Sequence, residues 1–159
     1  MPNDQALREH LIQLLDGGQA HATFDSAVRG FPLSKIGVQP KGLPYSGWQL
    51  LEHMRIAQHD IVRFSLSADH VSPVWPGGYW PTSPAPERES HWTRSVRAVR
   101  KDLAELQALV RDPKQNLYRK FPWGDGQTLL REALLIADHN SYHIGQLVLV
   151  RRLLGVWPK

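Results

Sequence analysis

Two histidines near the C-terminal end of the chain, His139 and His143, lie four residues apart. The surrounding pattern is strongly helical, and residues four apart in a helix share one face, one turn from each other. Two imidazoles placed in this way can bind one metal ion together. Because the chain contains no cysteine, a transition-metal site would have to use imidazole, carboxylate and water as its ligands.

Two protein ligands rarely hold a metal, and catalytic zinc sites commonly use three with one position left open. The best candidate for a third ligand is His53, which lies within a second predicted helix among apolar residues. His59 follows on the same helix but is rotated by about 240° at roughly 100° per residue, so we expect it to point elsewhere. The predicted ligands are therefore His53, His139 and His143, and no catalytic residue can be named. The remaining histidines are interpreted as surface or packing residues: His10, His21, His59, His70 and His91.

The residues beside these histidines help to decide which kind of metal site the pair could form. Zinc proteases need glutamate directly after the first histidine of such a pair, and Asn140 occupies that position. Asp138 or Glu52 could orient a ligand imidazole, although such residues are more often solvated or paired between helices. Gln146 is expected either to touch a ligand or to bond another buried group. Gly145 is expected to allow a close approach between helices.

The composition indicates one globular domain over residues 1–159, with 42% hydrophobic and 21% charged residues. No apolar run reaches the roughly 20 residues that a membrane helix needs, and the N-terminus lacks a signal-peptide pattern. We therefore expect a cytoplasmic protein with no membrane partner. The net charge is +4, but the basic residues are scattered, which argues against a nucleic-acid partner. The densest pair, Arg151 and Arg152, is expected to complement a helix dipole.

Apolar periodicity predicts four long helices and no strand, which is typical of an all-α four-helix bundle. The predicted helices span residues 4–16, 46–66, 87–111 and 128–154, with a further short piece at 19–28. Ser46 with Gln49 forms a capping-box pattern, Thr128 is a plausible N-cap, and Gly155 ends the last helix.

Long connectors rich in proline and tryptophan join these helices. Connectors of this length are uncommon in compact domains and often have a function. Their tryptophans, Trp75, Trp80 and Trp123, either anchor the loops by packing or line a pocket. The connectors span residues 31–45, 67–86 and 114–127.

Residues 138–146, Asp-His-Asn-Ser-Tyr-His-Ile-Gly-Gln, resemble the closing-helix signature of the DinB-like superfamily. Residues 48–53, Trp-Gln-Leu-Leu-Glu-His, are similar to the second-helix motif of that group, and the helix order matches over nearly the whole chain. The resemblance implies a four-helix bundle with a divalent metal bound by His53, His139 and His143. It also implies frequent homodimers.

The superfamily includes thiol S-transferases that use bacillithiol or mycothiol, so the resemblance implies a metal-dependent transferase acting on a small-molecule substrate with a low-molecular-weight thiol. The lack of cysteine fits this chemistry, because the sulfur would arrive with the cosubstrate. A metal-dependent hydrolase is one alternative, and a non-catalytic metal-binding or stress-associated dimeric protein is another. Zinc or nickel is the expected metal, and iron or manganese is also compatible with imidazole ligands. An open metal position facing a pocket would favour an enzyme.

Overall fold

The computed structural model describes residues 2–158 and contains five α-helices. Within this part of the chain there is no β-strand, so the all-α prediction is confirmed. No helix in the same range combines the length and apolar character that a bilayer span requires. The helices are α1 (Pro2–Asp16), α2 (Phe24–Val28), α3 (Gly47–Leu66), α4 (Glu89–Arg111) and α5 (Leu129–Leu153), and single 3₁₀ turns lie at Leu33–Lys35 and Gly77–Tyr79.

The four long helices form the predicted bundle. Both α1 and α3 pack against α4 and α5, while the short α2 packs on α5. Apolar side chains from all four helices fill two clusters, one centred on Leu51 and Leu147 and the other on Leu106 and Ile136. Burial of these side chains fixes the rotation of each helix, and so decides which residues of α3 and α5 face each other.

The start of α3 follows from its capping box. The Ser46 hydroxyl accepts the backbone N–H of Gln49, and the Gln49 side chain accepts the backbone N–H of Ser46, each over 3.1 Å. Gly47 follows, and a Cβ there would lie 2.6 Å from a ring carbon of Phe31. The connector therefore packs directly on the backbone of the first turn. The predicted start of this helix is confirmed.

Three predicted helix starts are wrong, and one of them is that of α1, which begins at Pro2 rather than residue 4. The short helix begins at Phe24 rather than residue 19, because Thr23 caps it by accepting the backbone N–H of Ser26 over 3.1 Å. Gly18, at a φ of 83°, keeps the preceding segment irregular. Helix α4 begins at Glu89 rather than residue 87, since Arg88 has extended backbone angles.

The sequence predicted only that Arg151 complements the dipole of α5. In the structure Arg151 has a further role. Its side chain is 1% exposed, and its Nη1 donates to the carbonyls of Ala27 and Arg29 over 2.8 and 3.0 Å. Its guanidinium also lies 5.2 Å from the ring centre of Phe31 and 5.1 Å from that of Trp157. A buried charge of this kind is tolerated because carbonyl oxygens surround it. Arg151 thereby joins the end of α2 to the end of α5.

Candidate metal centre

The three predicted ligands meet between α3 and α5. One ring nitrogen from each of His53, His139 and His143 lies within 4.8 Å of the other two, and the Nε2 atoms of His53 and His139 are 3.0 Å apart. The two α5 histidines project from adjacent turns, and the packing of α3 on α5 brings His53 opposite them. His59 points away, as expected, and its Nδ1 lies 3.0 Å from the Asp102 carboxylate.

The histidine cluster presents ring nitrogens in the form that a divalent transition metal requires. The Nδ1–H of His53 donates to the carbonyl of Tyr79 over 2.9 Å, and the Nδ1–H of His143 donates to Oε1 of Gln146 over 2.7 Å. Because both acceptors are oxygen atoms, each bond places the proton on Nδ1 and leaves the lone pair on Nε2. Imidazole nitrogens suit zinc, nickel or iron better than magnesium or calcium.

Electrostatics keep these imidazoles uncharged at neutral pH. Burial, together with the smaller effect of the neighbouring His143 and His53, lowers the pKa of His139 to about 4. Burial also lowers the pKa of His143 to about 4 against the opposing hydrogen bond to Gln146. The pKa of His53 is lowered by burial too, with the Tyr79 bond acting in the opposite direction. A metal would therefore not compete with protons at pH 7.

A stack of aromatic rings supports His53 from behind. The imidazole lies parallel to the indole of Trp80, with ring centroids 3.8 Å apart and 3° between the planes. Tyr45 stacks on the other face of Trp80 at 4.3 Å and 13°. The sequence left Trp80 as either a loop anchor or a pocket residue; the structure makes it a support for a candidate ligand. No local signal could have found this contact, because it joins a connector to a distant helix.

Tyr79 fastens the 67–86 connector to α3 at two points. Its carbonyl accepts from His53, and its hydroxyl donates to Oδ2 of Asp60 over 2.6 Å. His70 contacts Oδ1 of the same carboxylate at 2.7 Å. Burial, together with the hydrogen bond to Asp60 and its charge, raises the pKa of Tyr79 to about 12. The phenol therefore stays protonated and continues to donate over the physiological pH range.

The residues expected beside the ligands fall into two groups. Gln146 touches the candidate ligand His143, which was one of its two predicted roles. Asp138 is exposed, so it follows the solvated alternative. Glu52 follows neither alternative, because it is buried and pairs with Arg55 of the same helix over 2.9 Å. The expected role of Gly145 is wrong within the chain, because a Cβ there would meet no atom within 4 Å.

A cavity of about 520 Å³ opens beside the histidines, and all three of them belong to its lining. Apolar side chains make up much of its wall, and polar side chains complete it. Of the three connector tryptophans, Trp75 lines this cavity, whereas Trp80 and Trp123 are not among its lining residues. The apolar wall consists of Ala57, Ile61, Phe64, Trp75 and Leu135, and the polar lining of Asp60, Ser72, Tyr79, Gln127, Arg131 and Glu132.

Glu132 places a carboxyl group in the same cavity. Its side chain is 2% exposed, and its two oxygens accept from Nη1 of Arg131 over 2.9 and 3.0 Å. Burial raises its pKa, and the Arg131 charge opposes that shift. The sequence had not led us to predict a role for this residue. Its spacing could have indicated that it lies near the histidines, since Glu132 precedes His139 by two helical turns on the same face of α5.

The match to a family model agrees with this arrangement. The model of the DinB superfamily matches residues 18–147, a range that includes His53, His139 and His143. Comparisons with curated proteins and with solved structures give no match to the chain. Because the family match covers most of the sequence, the chain belongs to the DinB superfamily.

Proposed function

We propose that this protein is a metal-dependent enzyme that binds a divalent transition metal through His53, His139 and His143. The single observation that carries the proposal is the presence of these clustered imidazoles in the lining of a cavity of about 520 Å³. A site with three protein ligands retains room for one further donor, and the cavity is the side from which a substrate would supply it. Zinc or nickel is the proposed metal.

The proposed reaction is the transfer of a low-molecular-weight thiol to an electrophilic carbon. A bound divalent ion would supply Lewis acidity, which favours the deprotonated form of a thiol at neutral pH. In the transfer, sulfur forms a bond to carbon, the leaving group departs with its bonding electrons, and the thiol proton passes to a base. The chain has no cysteine, so the sulfur comes from the cosubstrate. Small thiols are kept reduced in the cytoplasm, which remains the proposed location.

Other residues of the cavity would accept the proton and hold the acceptor. Glu132 is the group we propose as proton acceptor, because burial brings its pKa nearer to neutrality. Tyr79 cannot take this role, since its phenol already carries a proton and donates it to Asp60. The apolar wall of the cavity would exclude water and hold the carbon skeleton of the acceptor.

A metal-dependent hydrolase is the second candidate. The observation that favours it is the pair of carboxyl groups, Asp60 and Glu132, lining the cavity. Either could serve as general base for an attacking water. A non-catalytic metal-binding role gains less support, because such a role would not require a cavity beside the histidines.

Metal content tests the ligand assignment. Single alanine substitutions at His53, His139 and His143 should each lower the bound metal measured by elemental analysis after dialysis. His59→Ala is the matched control, because it removes a histidine from the same helix as His53 but outside the cluster. Full occupancy in any of the three variants would remove that residue from the site.

Turnover tests the reaction. Metal-loaded protein is incubated with a panel of small thiols and monochlorobimane, and formation of the fluorescent thioether is compared with that of chelator-treated protein. Hydrolysis of a nitrophenyl ester is measured in parallel. Leu135→Trp should reduce either activity by filling the cavity while leaving metal content unchanged. The absence of metal-dependent thioether formation with every thiol would reject the transferase, and ester hydrolysis alone would favour the second candidate.

A further inference from the structure

The neutral imidazole of His139 has one proton and two nitrogen atoms that can carry it. Its Nε2 lies 3.0 Å from Nε2 of His53, which has a free lone pair because the Nδ1–H of His53 donates to Tyr79. A proton on Nε2 of His139 would bond to His53 and so occupy the space between two candidate ligand atoms. A metal bound by both nitrogens requires that proton to lie on Nδ1 instead.

Asn140, which stands where zinc proteases have glutamate, is buried directly after His139. It is 9% exposed, and its Nδ2 donates to Oε1 of Gln58 over 2.8 Å. Its Oδ1 is also buried, and within the described part of the chain it accepts no hydrogen bond of normal geometry. A buried acceptor is unfavourable unless a donor reaches it. The amide of Asn140 therefore has one bonded end and one end that needs a donor.

The imidazole of His139 lies beside this oxygen. Burial lowers the pKa of His139 to about 4, and a contact with the Asn140 side chain acts in the opposite direction. A neighbouring amide has that effect when its carbonyl oxygen faces a ring N–H, since the contact stabilises the charged imidazole. Because Nε2 of His139 faces His53, the nitrogen available to Asn140 is Nδ1.

The orientation of the Asn140 amide is determined outside the histidine cluster. Gln58 is 1% exposed, and its Nε2 donates to the backbone carbonyl of Val99 over 2.6 Å. A backbone carbonyl only accepts hydrogen bonds, so the Gln58 amide must present Oε1 to Asn140. Asn140 must then direct Nδ2 to Gln58, which leaves Oδ1 for another donor. The Val99 carbonyl thereby sets the direction of two linked amides that end beside His139.

We propose that Asn140 is a positioning residue for His139, and that its Oδ1 accepts the Nδ1–H of that imidazole. Gln58 acts through Asn140, because it prevents the amide from turning its NH₂ group towards the ring. The lone pair of His139 is then left on Nε2, so His139 has the same tautomer as His53 and His143. The importance of this tautomer rests on the proposed metal site, but the hydrogen bonds themselves need neither metal nor catalysis.

The protonation of the two ring nitrogens tests the proposal directly. Nitrogen-15 NMR of the chelator-treated full-length protein at pH 7 distinguishes a protonated ring nitrogen from an unprotonated one, and His139→Gln identifies the signals. We expect the proton mainly on Nδ1 in wild-type protein and mainly on Nε2 in Asn140→Leu, where His53 is the remaining acceptor. Gln58→Leu should move the proton in the same direction, although the hydrogen bonds of Gln58 run to Asn140 and Val99.

Zinc affinity is the second readout, measured by competition with a coloured chelator. Both leucine variants should lose about 10-fold in affinity, because zinc must then bind a ring whose Nδ1–H has no acceptor. Asn140→Asp keeps an oxygen beside the ring and should retain most of the affinity, which separates the hydrogen bond from packing. Gln107→Leu is the matched control, since it removes another buried amide, one that donates to Asp16 over 2.6 Å. Circular dichroism confirms folding.

Unchanged protonation of His139 in both leucine variants would overturn the proposal. So would an effect of Asn140→Leu that Gln58→Leu does not share, or an equal effect of Gln107→Leu. If Asn140→Leu does not fold, the comparison of Gln58→Leu and Asn140→Asp with wild-type protein decides the question. Wild-type protein that binds no zinc would reject the proposed metal site, whereas the NMR comparison, made without metal, would still decide the role of Asn140.

Discussion

The imidazole of His53 and the indole of Trp80 lie face to face, 3.8 Å apart and 3° from parallel. Trp80 directly follows Tyr79, whose carbonyl accepts the Nδ1–H of the same imidazole. Two consecutive connector residues therefore hold His53, one by fixing its tautomer and the other by fixing its ring plane. Outer groups of this kind set the orientation and basicity of metal ligands.

Removal of the stacked indole should weaken metal binding. In Trp80→Leu, His53 loses its parallel partner and can rotate about its side-chain bonds, so we expect zinc affinity to fall by about 10-fold. The measurement is a competition titration against a coloured chelator. Trp123→Leu is the control, because Trp123 stacks on Phe121 away from the histidines. Equal affinity in Trp80→Leu and wild-type protein would show that the stack does not position the ligand.

Gln146 should affect metal affinity through its hydrogen bond to His143. Gln146→Leu removes the acceptor 2.7 Å from Nδ1 and frees the imidazole to adopt the wrong tautomer. We expect a loss of zinc affinity of about 10-fold to 100-fold. Gln146→Glu keeps an oxygen acceptor, so it should retain most of the affinity. If both variants bind zinc equally well, the hydrogen bond to Gln146 has no part in metal binding.

Acid should destabilise the metal-free protein through the same imidazoles. The fold lowers the pKa of His139 and His143 to about 4, whereas the unfolded chain takes up these protons at about 6.5. Between those values the unfolded state binds more protons, so the free energy of unfolding decreases as the pH falls. This contribution is complete above about pH 6.5 and is lost progressively towards about pH 4.

Thermal unfolding at a series of pH values measures this effect. The chelator-treated wild-type protein is compared with a His139→Gln, His143→Gln double variant, which lacks both titrating groups. The Tm of the wild-type protein should fall more steeply between pH 6.5 and 4 than that of the variant. His59→Gln is the control and should follow the wild-type curve. Parallel curves for wild-type protein and the double variant would contradict the lowered pKa values.

Tyr79 should remain protonated in alkaline solution. Its pKa is raised to about 12, so the ultraviolet difference between wild-type protein and Tyr79→Phe at pH 11 should be that of a neutral phenol. The same variant loses the hydrogen bond to the Asp60 carboxylate, and urea unfolding should show a loss of about 1.5 kcal/mol. An ionised phenol in the difference spectrum would show that Asp60 and burial do not control this group.

The sequence was sufficient for features whose cause is local. Apolar periodicity located the long helices, and the Ser46 and Thr128 caps located two of their starts. Helical spacing alone placed His139 and His143 on one face, and it also excluded His59. The proximity of His53 to that pair is now a structural fact, whereas binding of a metal and the extent of one domain over residues 1–159 stay predictions.

The features that the sequence could not provide depend on contacts between distant segments. Nothing local to Trp80 or Tyr79 indicates that both touch His53, which lies more than twenty residues earlier. The carbonyl cradle around Arg151 likewise comes from α2, far away along the chain. Glu132 differs from these residues, because its position on the same helix face as His139 follows from the sequence spacing alone.

The three histidines are held in place by different parts of the chain, so we expect them to reach their positions at different stages of folding. His139 and His143 are placed by α5 itself, and the acceptor for His143 comes from the same helix. His53 depends on a connector that must first close over α3. We therefore expect the pair on α5 to form with the bundle and the third donor to become competent last. Hydrogen exchange of the Trp80 backbone amide, which bonds to the Gly77 carbonyl, should then slow when zinc is added, while exchange within α5 changes little.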